Sequence, residues 1–330
     1  MKTKTLVKRI VFFIVLILVL VLAYLFLGQA PEMKERTWGI TFSQKYSQLL
    51  GLDWKESYLA LLDDLKVKNV RLIAYWDLIE SEPGVYNFDD LEWQITRAEE
   101  RGAKIVLVIG RKMPRWPECH EPGWVGSLPM AEQQDKIIKL LENVVIKYRN
   151  RSSILAWQVE NEALFNFGNC AWQDKEFFKK EIKTVKALDS RPVLITDSGE
   201  FSFWLNSAQL ADQIGITMYK KAYFKELGLN VDYYFPPVYY WRKALLINKI
   251  FNKKIIVAEL QAEPWGREES YRIPLSEQLQ TMDLERFKYN IEFAKKSGFD
   301  TFYLWGAEWW YYLKAKEQKP EIWDEARSLF

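Results

Sequence analysis

Two glutamates lie where an apolar strand would end, a place at which a carboxylate needs a specific reason to occur. The apolar run at 154–157 leads into Gln-Val-Glu-Asn-Glu, so that Asn161 and Glu162 follow a probable buried strand. A second run, at 255–258, stops at Glu259. Carboxyl groups that end two separate strands can supply the acid and the nucleophile or base that cleavage of a glycosidic bond requires. The alternatives are an Asn-Glu pair that only caps the next helix, or two unrelated strand ends.

The rest of the chain alternates between strand and helix patterns in a way that would position these glutamates. The predicted strands are 38–42, 70–75, 105–109, 154–160, 193–196, 214–218, 255–259 and 302–305. The clearest helical patterns between them are 59–67, 91–101, 130–148, 176–188, 239–251 and 278–296. This alternation predicts parallel pairing and a single TIM (β/α)8 barrel, whose βα loops carry the chemistry. An open doubly wound sheet is the alternative, but the Gly-rich turn usual after its first strand is absent from the sequence.

Several motifs in this pattern resemble clan A glycoside hydrolases. Asn161-Glu162 after strand four and Glu259 at strand seven resemble the acid/base and the nucleophile of that clan. The Trp-Gln-x-x-Asn-Glu form at 157–162 and the loop at 76–88 are similar to family 42 β-galactosidases. The size and single-barrel layout resemble family 5 cellulases and mannanases instead. Arg71, Tyr219 and Trp305 match the strand-two arginine, strand-six tyrosine and strand-eight tryptophan of family 5.

The resemblance implies a retaining double-displacement mechanism. Its two carboxyl groups would lie about 5 to 5.5 Å apart, close enough for the charge of one to raise the pKa of the other. Arg71, if it points at Glu259, would keep the nucleophile ionised, while Glu162 would hold the proton. Asn161 would bind the sugar 2-hydroxyl. The chain departs from family 5 in having a single histidine, His120, and Thr-Met-Tyr at 217–219 where that family has His-x-Tyr.

Further residues in the predicted loops are candidates for contacting a sugar. Tryptophan is abundant, at 15 of 330 residues, and indole rings stack well on the apolar face of a pyranose. Trp76, Trp265 and Trp305 are the tryptophans that we predict to bind substrate, although we expect about half of the loop tryptophans to be packing residues. Glu263 is a rim candidate and the second choice as nucleophile. For Glu160, a structural salt bridge is the expected role.

An apolar run precedes the barrel. Four basic residues lie before an unbroken apolar segment from Ile10 to Leu27, which is about long enough to span a bilayer. We therefore expect a cytoplasmic N-terminus at 1–9, a transmembrane signal anchor at 10–27, a linker at 28–36 and the hydrolase domain at 37–330. The alternative is a secreted form cleaved near Ala30, although Pro31 would follow that cut and proline generally blocks cleavage.

The cysteines and the charge balance bear on the location of the protein, its partners and its cofactors. Cys119 and Cys170 follow strands three and four, so an extracytoplasmic location favours a disulfide between them over two free thiols. The body has 42 basic and 44 acidic residues once the four leading basic residues are set aside, which gives no reason to expect nucleic acid as a partner. A single histidine and the lack of a Cys-x-x-Cys pair exclude multi-His metal sites and structural zinc. We expect no metal and no nucleotide cofactor.

Together these features predict a membrane-tethered, monomeric, retaining β-glycoside hydrolase that acts on an oligo- or polysaccharide outside the cytoplasm. Two alternatives use the same barrel. One is a carbohydrate-binding or scaffold protein that has lost turnover, for which two intact carboxylates would have no purpose. The other is a transglycosylase, in which a sugar rather than water attacks the glycosyl-enzyme.

Overall fold

The computed structural model describes residues 2–165, 167–224 and 228–330, and its centre is a closed barrel of eight parallel strands. The barrel strands are β1 (Thr37–Phe42), β2 (Asn69–Ile73), β3 (Lys104–Ile109), β4 (Ile154–Val159), β5 (Val193–Asp197), β6 (Gln213–Met218), β9 (Lys254–Gln261) and β10 (Thr301–Trp305). Each strand pairs in parallel with its neighbours, and β1 closes the ring against both β2 and β10. The predicted TIM barrel is therefore confirmed, with β9 as its seventh strand.

The described residues also form thirteen α-helices, most of them on the outside of the barrel. They are α1 (Lys2–Phe26), α2 (Gln44–Leu49), α3 (Trp54–Asp63), α4 (Trp76–Ile79), α5 (Asp89–Glu100), α6 (Met130–Tyr148), α7 (Lys175–Leu188), α8 (Leu205–Leu210), α9 (Pro237–Phe251), α10 (Leu275–Thr281), α11 (Leu284–Lys295), α12 (Ala307–Ala315) and α13 (Glu321–Arg327). Short 3-10 turns occupy Val125–Ser127 and Ser270–Arg272. The helix predicted at 59–67 begins earlier, after Asp53, whose side chain accepts the backbone N–H groups of Lys55 and Glu56.

Two segments differ from the sequence prediction. The single helix expected at 278–296 is divided into α10 and α11, because Asp283 caps the second helix by accepting the backbone N–H of Arg286. An antiparallel hairpin, β7 (Lys221–Phe224) and β8 (Leu229–Asp232), follows β6 and was not predicted. The hairpin inserts between β6 and α9 without entering the barrel, so the barrel topology is unchanged.

Apolar side chains fill both the barrel interior and the space between strands and helices. The interior layer consists of Val106, Ala156, Leu194, Ile256 and Tyr303, one from each of five strands. These buried side chains fix the strands firmly. Polar side chains at the carboxyl ends of the strands are therefore held by a rigid scaffold.

Helix α1 contains the predicted membrane span. Its segment Leu6–Phe26, 21 residues long, has the length and composition needed to cross a membrane. Most of this segment is exposed, but Leu25 is buried where the end of the helix meets α9. The exposure agrees with an apolar helix whose surroundings would be lipid.

Candidate active site

Glu162 lies just after β4, on a backbone that most side chains avoid. Glu160 and Glu162 both have positive φ angles, 58° and 45°, in the left-handed region. Such residues cost about 1–3 kcal/mol each and persist where the surrounding structure enforces them. Here the backbone N–H of Glu162 donates to Thr196 Oγ1 on β5 at 2.8 Å, and Lys112 Nζ donates to the Glu162 carbonyl at 3.0 Å. Neighbouring elements thus hold the main chain of Glu162 in this conformation.

Glu259, by contrast, lies within β9, where the pairing register with β6 shifts by one residue, and its carboxylate accepts hydrogen bonds from two donors. Arg71 Nη1 donates to Glu259 Oε1 at 2.9 Å, and the Tyr219 hydroxyl donates to Oε2 at 3.2 Å. Arg71 is fully buried, and Glu259 is only 5% exposed. The Glu259 carboxylate therefore forms a buried ion pair and accepts an additional hydrogen bond.

Arg71 also connects Glu259 with the end of β4. Its Nε donates to Gln158 Oε1 at 2.7 Å, and its Nη2 donates to Asn161 Oδ1 at 2.8 Å. Gln158 Nε2 is in turn 3.2 Å from Asn161 Oδ1. One guanidinium therefore fixes the orientation of Asn161 and the position of Glu259 at the same time.

The protonation of Glu162 is set by a different environment. Burial raises the pKa of Glu162 well above its usual range, and the negative charge of Glu259 raises it further. The Glu118 carboxyl acts in the same direction, while the charge of Lys112 opposes the shift. No cation within 4 Å pairs with the Glu162 carboxylate in the described part of the chain. The protonated acid is therefore the favoured form of Glu162.

Glu118 is a third carboxyl at this site, and the sequence did not reveal it. Asn161 Nδ2 donates to Glu118 Oε2 at 3.1 Å, and burial raises the pKa of Glu118 to about 8. One signal could have identified it. The predicted disulfide at Cys119 placed residue 118 next to the loop that follows strand four.

The structure corrects the expectation for Glu160. No arginine or lysine pairs with it among the described residues; its carboxylate instead accepts the backbone N–H groups of Arg111, at 2.7 Å, and Lys112. It also faces the buried Glu181, whose pKa is raised well above its usual range by burial and by the charge of Glu160. Glu160 therefore holds the β3 loop in place, and the predicted salt bridge is wrong.

Glu263 is more deeply buried than a residue at the rim of the site would be. Arg115 forms ion pairs with both Glu263 and Glu308, the latter at 3.1 Å. The Arg115 guanidinium lies 4.1 Å from the centre of the Trp305 ring, so it covers one face of that tryptophan. Glu263 and Trp305 are thus brought together by a single buried arginine.

Of the three predicted tryptophans, Trp305 is buried beneath Arg115, and the other two occupy different positions. Trp76 is fully buried, and its indole N–H donates to Glu80 at 2.8 Å, so the structure places this residue in the core rather than in the cleft. Trp265 is half-buried and lies edge-on to Tyr219, with ring centres 4.9 Å apart. Trp116, which was not selected from the sequence, is 48% exposed.

A disulfide joins the loops at one side of this site. Cys119 and Cys170 are bonded, with Cα atoms 5.3 Å apart, which confirms the predicted pair. A cleft of about 470 Å³ opens beside this disulfide, and its lining includes Arg115, Trp116 and Glu269. The disulfide therefore links the segment that carries Glu118, which lines the cleft at Cys119, to the loop between β4 and α7.

Comparison with solved structures identifies proteins that share this fold. No protein-family profile matches the sequence, and no curated protein sequence is similar to it. Native xylanase 10B of Thermotoga maritima superposes with a TM-score of 0.58 at 15% identity, covering 89% of this chain and 95% of that one. The chain has the fold of clan A glycoside hydrolases.

Two further neighbours have the same barrel. A GH5_18 protein from Streptomyces cattleya, in complex with GlcNAc, has a TM-score of 0.57 at 11% identity, covering 84% of this chain and 71% of that one. The β-galactosidase of Marinomonas ef1 has a TM-score of 0.54 at 11% identity. That alignment covers 89% of this chain but only 58% of the galactosidase, so this chain spans little more than half of that enzyme. The predicted resemblance is confirmed at the level of the fold.

Proposed function

We propose that this protein is a retaining β-glycoside hydrolase, with Glu162 as acid/base and Glu259 as nucleophile. The observation that carries the proposal is the difference between their surroundings. Glu259 is held by Arg71 and Tyr219, whereas burial and the Glu259 charge raise the pKa of Glu162. Two nearby carboxyl groups with opposite protonation preferences can divide nucleophilic and acid roles between them.

The first half-reaction would use both groups together. The Glu259 carboxylate attacks the anomeric carbon and forms an ester bond while the glycosidic C–O bond breaks. Glu162 gives its proton to the departing oxygen. Because esterification removes the negative charge of Glu259, one of the causes that raise the pKa of Glu162 disappears.

The second half-reaction would reverse these roles. Glu162, now a carboxylate with a lower pKa, removes a proton from water as that water attacks the anomeric carbon. The Glu259 ester bond breaks and its carboxylate returns to the Arg71 pair. The product then has the same anomeric configuration as the substrate.

The substrate class is inferred from the surroundings of Glu162 and Glu259. A carbohydrate is favoured by the fold and by the aromatic residues Trp265 and Tyr219 beside Glu259. Asn161 remains our candidate for the sugar 2-hydroxyl, and its amide nitrogen would exchange the Glu118 contact for that hydroxyl. Glu263 and Trp305 remain candidates for a neighbouring subsite, because Arg115, which contacts both, lines the cleft.

The membrane arrangement is part of the proposal. We assign 1–9 to the cytoplasm, 10–27 to an uncleaved anchor, 28–36 to a linker and 37–330 to an external hydrolase domain. The apolar segment Leu6–Phe26 and the Cys119–Cys170 disulfide support this orientation.

The stereochemistry of the first product tests the proposed reaction. The full chain would be incubated with a panel of aryl β-glycosides and soluble β-linked polysaccharides, and the anomeric signals would be followed by NMR. Initial release of the β-anomer is expected. Initial release of the α-anomer would contradict the proposal. A purified Glu162→Gln, Glu259→Gln double variant that turns over substrate as fast as the wild type would also contradict it.

A further inference from the structure

The end of helix α1 rests on the barrel beside the carboxyl ends of the strands. The Phe26 ring lies 5.2 Å from that of Tyr239 and 6.3 Å from that of Phe235. Phe235 belongs to the segment between β8 and α9, and Tyr239 lies in the first turn of α9. The barrel therefore contacts α1 at the last residue of the apolar segment.

The length of the apolar segment Leu6–Phe26 determines how deep in the bilayer the contact between α1 and the barrel would lie. Its 21 residues span about 31 Å at the usual helical rise of about 1.5 Å per residue. The hydrocarbon core of a bilayer is about 30 Å thick, so a spanning helix uses nearly all of this segment, with Lys8 and Arg9 at its cytoplasmic end. Phe26 would then lie at the boundary between lipid and water, and Phe235 and Tyr239 would lie at the same level.

An exposed aromatic surface continues outward from this contact. We call it the interfacial patch, and it consists of the exposed Phe201, Phe203, Leu205 and Tyr234 together with the partly buried Phe235. Phe201 is 56% exposed, Phe203 65% and Tyr234 88%. The Phe201 ring lies 6.4 Å from that of Phe235, which joins the patch to the end of α1. Contiguous exposed aromatic residues mark an interaction surface, and such residues are common at membrane–water interfaces.

A cationic side chain lies at the same level. The Arg242 guanidinium is 4.4 Å from the centre of the Tyr24 ring, within the last turn of the apolar segment. Within the described residues, no carboxylate lies within 4 Å of it, and its Nε has no hydrogen-bond partner. A guanidinium at headgroup depth can bind a lipid phosphate.

We propose that the interfacial patch and Arg242 lie in the headgroup region of the bilayer that α1 spans. The barrel then contacts the membrane surface directly and is not attached to it through a flexible linker alone. Phe201 follows Glu200, whose carboxylate accepts the backbone N–H of Tyr219 at 2.8 Å, so the interfacial patch is connected to the strand end that carries Tyr219. The inference rests on the proposed membrane span and does not depend on catalysis.

Fluorescence quenching by labelled lipids tests this seating. The full chain carrying Phe203→Cys would be labelled with an environment-sensitive dye and reconstituted into phosphatidylcholine–phosphatidylglycerol vesicles that contain a headgroup nitroxide lipid. The native cysteines are joined in a disulfide and do not compete for the label. Val85→Cys is the matched control, since Val85 is 58% exposed and its loop follows β2, which lies opposite β6 in the barrel.

Several-fold stronger quenching at position 203 than at position 85 is expected. Tyr234→Cys supplies a second site on the patch in case Phe203→Cys fails to fold. Equally weak quenching at all three positions, in protein that floats with the vesicles, would overturn the proposal. A blue-shifted dye that lipid does not quench would also overturn it, by showing that a second copy covers the patch. Failure to float would remove the span on which the inference rests, but would leave the hydrolase assignment intact.

Discussion

The ends of β4 and β9 present the same functional group in opposite settings. Glu162 lies on strained left-handed backbone, held through its main chain by Thr196 and Lys112, while its carboxyl is buried next to other carboxyls. Glu259 lies within strand β9, beside a shift in its pairing register and without left-handed backbone, and its carboxylate is bound directly by Arg71 and Tyr219. The comparison shows how one barrel can favour a proton on one glutamate and a charge on the other.

Of the changes that test this comparison, removal of Glu259 should have the largest effect on turnover. Glu259→Ala eliminates the proposed nucleophile, so turnover should fall by at least the roughly 10²–10⁴-fold range typical of losing one acid–base group, and to background for unactivated substrates. Added azide should restore cleavage of aryl glycosides and give a product of inverted configuration. Activity near that of the wild type would show that the nucleophile lies elsewhere.

Removal of Glu162 should produce a smaller loss that depends on the substrate. Glu162→Ala removes the proton donor, so substrates with poor leaving groups should lose roughly 10²–10⁴-fold in kcat/KM. Activated aryl glycosides should lose far less in the glycosylation step, because their leaving groups need no proton. Equal losses on both kinds of substrate would exclude the acid role.

The Arg71 pair can be tested through stability as well as activity. Arg71→Met leaves Glu259 buried without its cation and should lower the free energy of unfolding by about 3–5 kcal/mol. Adding Glu259→Gln should recover part of that loss without restoring activity, because the uncompensated charge is gone. Denaturant titration would measure both variants. If the two substitutions were simply additive in stability, the pair would not be coupled.

Glu118 should have the smallest effect, seen in the pH dependence of stability. Its pKa in the folded protein is about 8, above the value of about 4.3 for an unperturbed glutamate. The folded state therefore keeps a proton that the unfolded state loses, so this stabilisation is complete at low pH and is lost as the pH rises toward about 8.

Glu118→Gln should accordingly lose less stability than the wild type between about pH 5 and pH 8. Thermal unfolding across that range would measure the difference. Glu82→Gln, at an exposed glutamate, is the control and should follow the wild type. Parallel curves for Glu118→Gln and the wild type would contradict the assigned protonation of Glu118.

Much of the fold was predictable because it depends on local patterns. Each apolar run of the barrel reads as a buried parallel strand, and every predicted barrel strand is present within about two residues of its expected ends. The hairpin Lys221–Phe224 with Leu229–Asp232 escaped prediction because its strands are short and only partly buried. Their residues carry little of the apolar alternation on which a strand prediction depends.

The site was predictable only where a residue lies in a barrel strand or follows one directly. Arg71, Asn161, Tyr219 and Glu259 meet at the barrel end as the strand order requires. Glu118 and Arg115 were missed because they lie in the long β3 loop, whose path depends on the Cys119–Cys170 bond and on packing between loops. Trp76 was misplaced because sequence does not distinguish a cleft indole from one that packs inward.

Trapping of the glycosyl-enzyme tests the central claim most directly. The full chain would be exposed to a panel of 2-fluoro β-glycosides, digested and examined by mass spectrometry. The account predicts a covalent sugar on the peptide that contains Glu259, and no adduct in Glu259→Gln. An adduct on Glu263 instead, or hydrolysis of a β-glycoside by folded protein that never yields an adduct, would contradict the account.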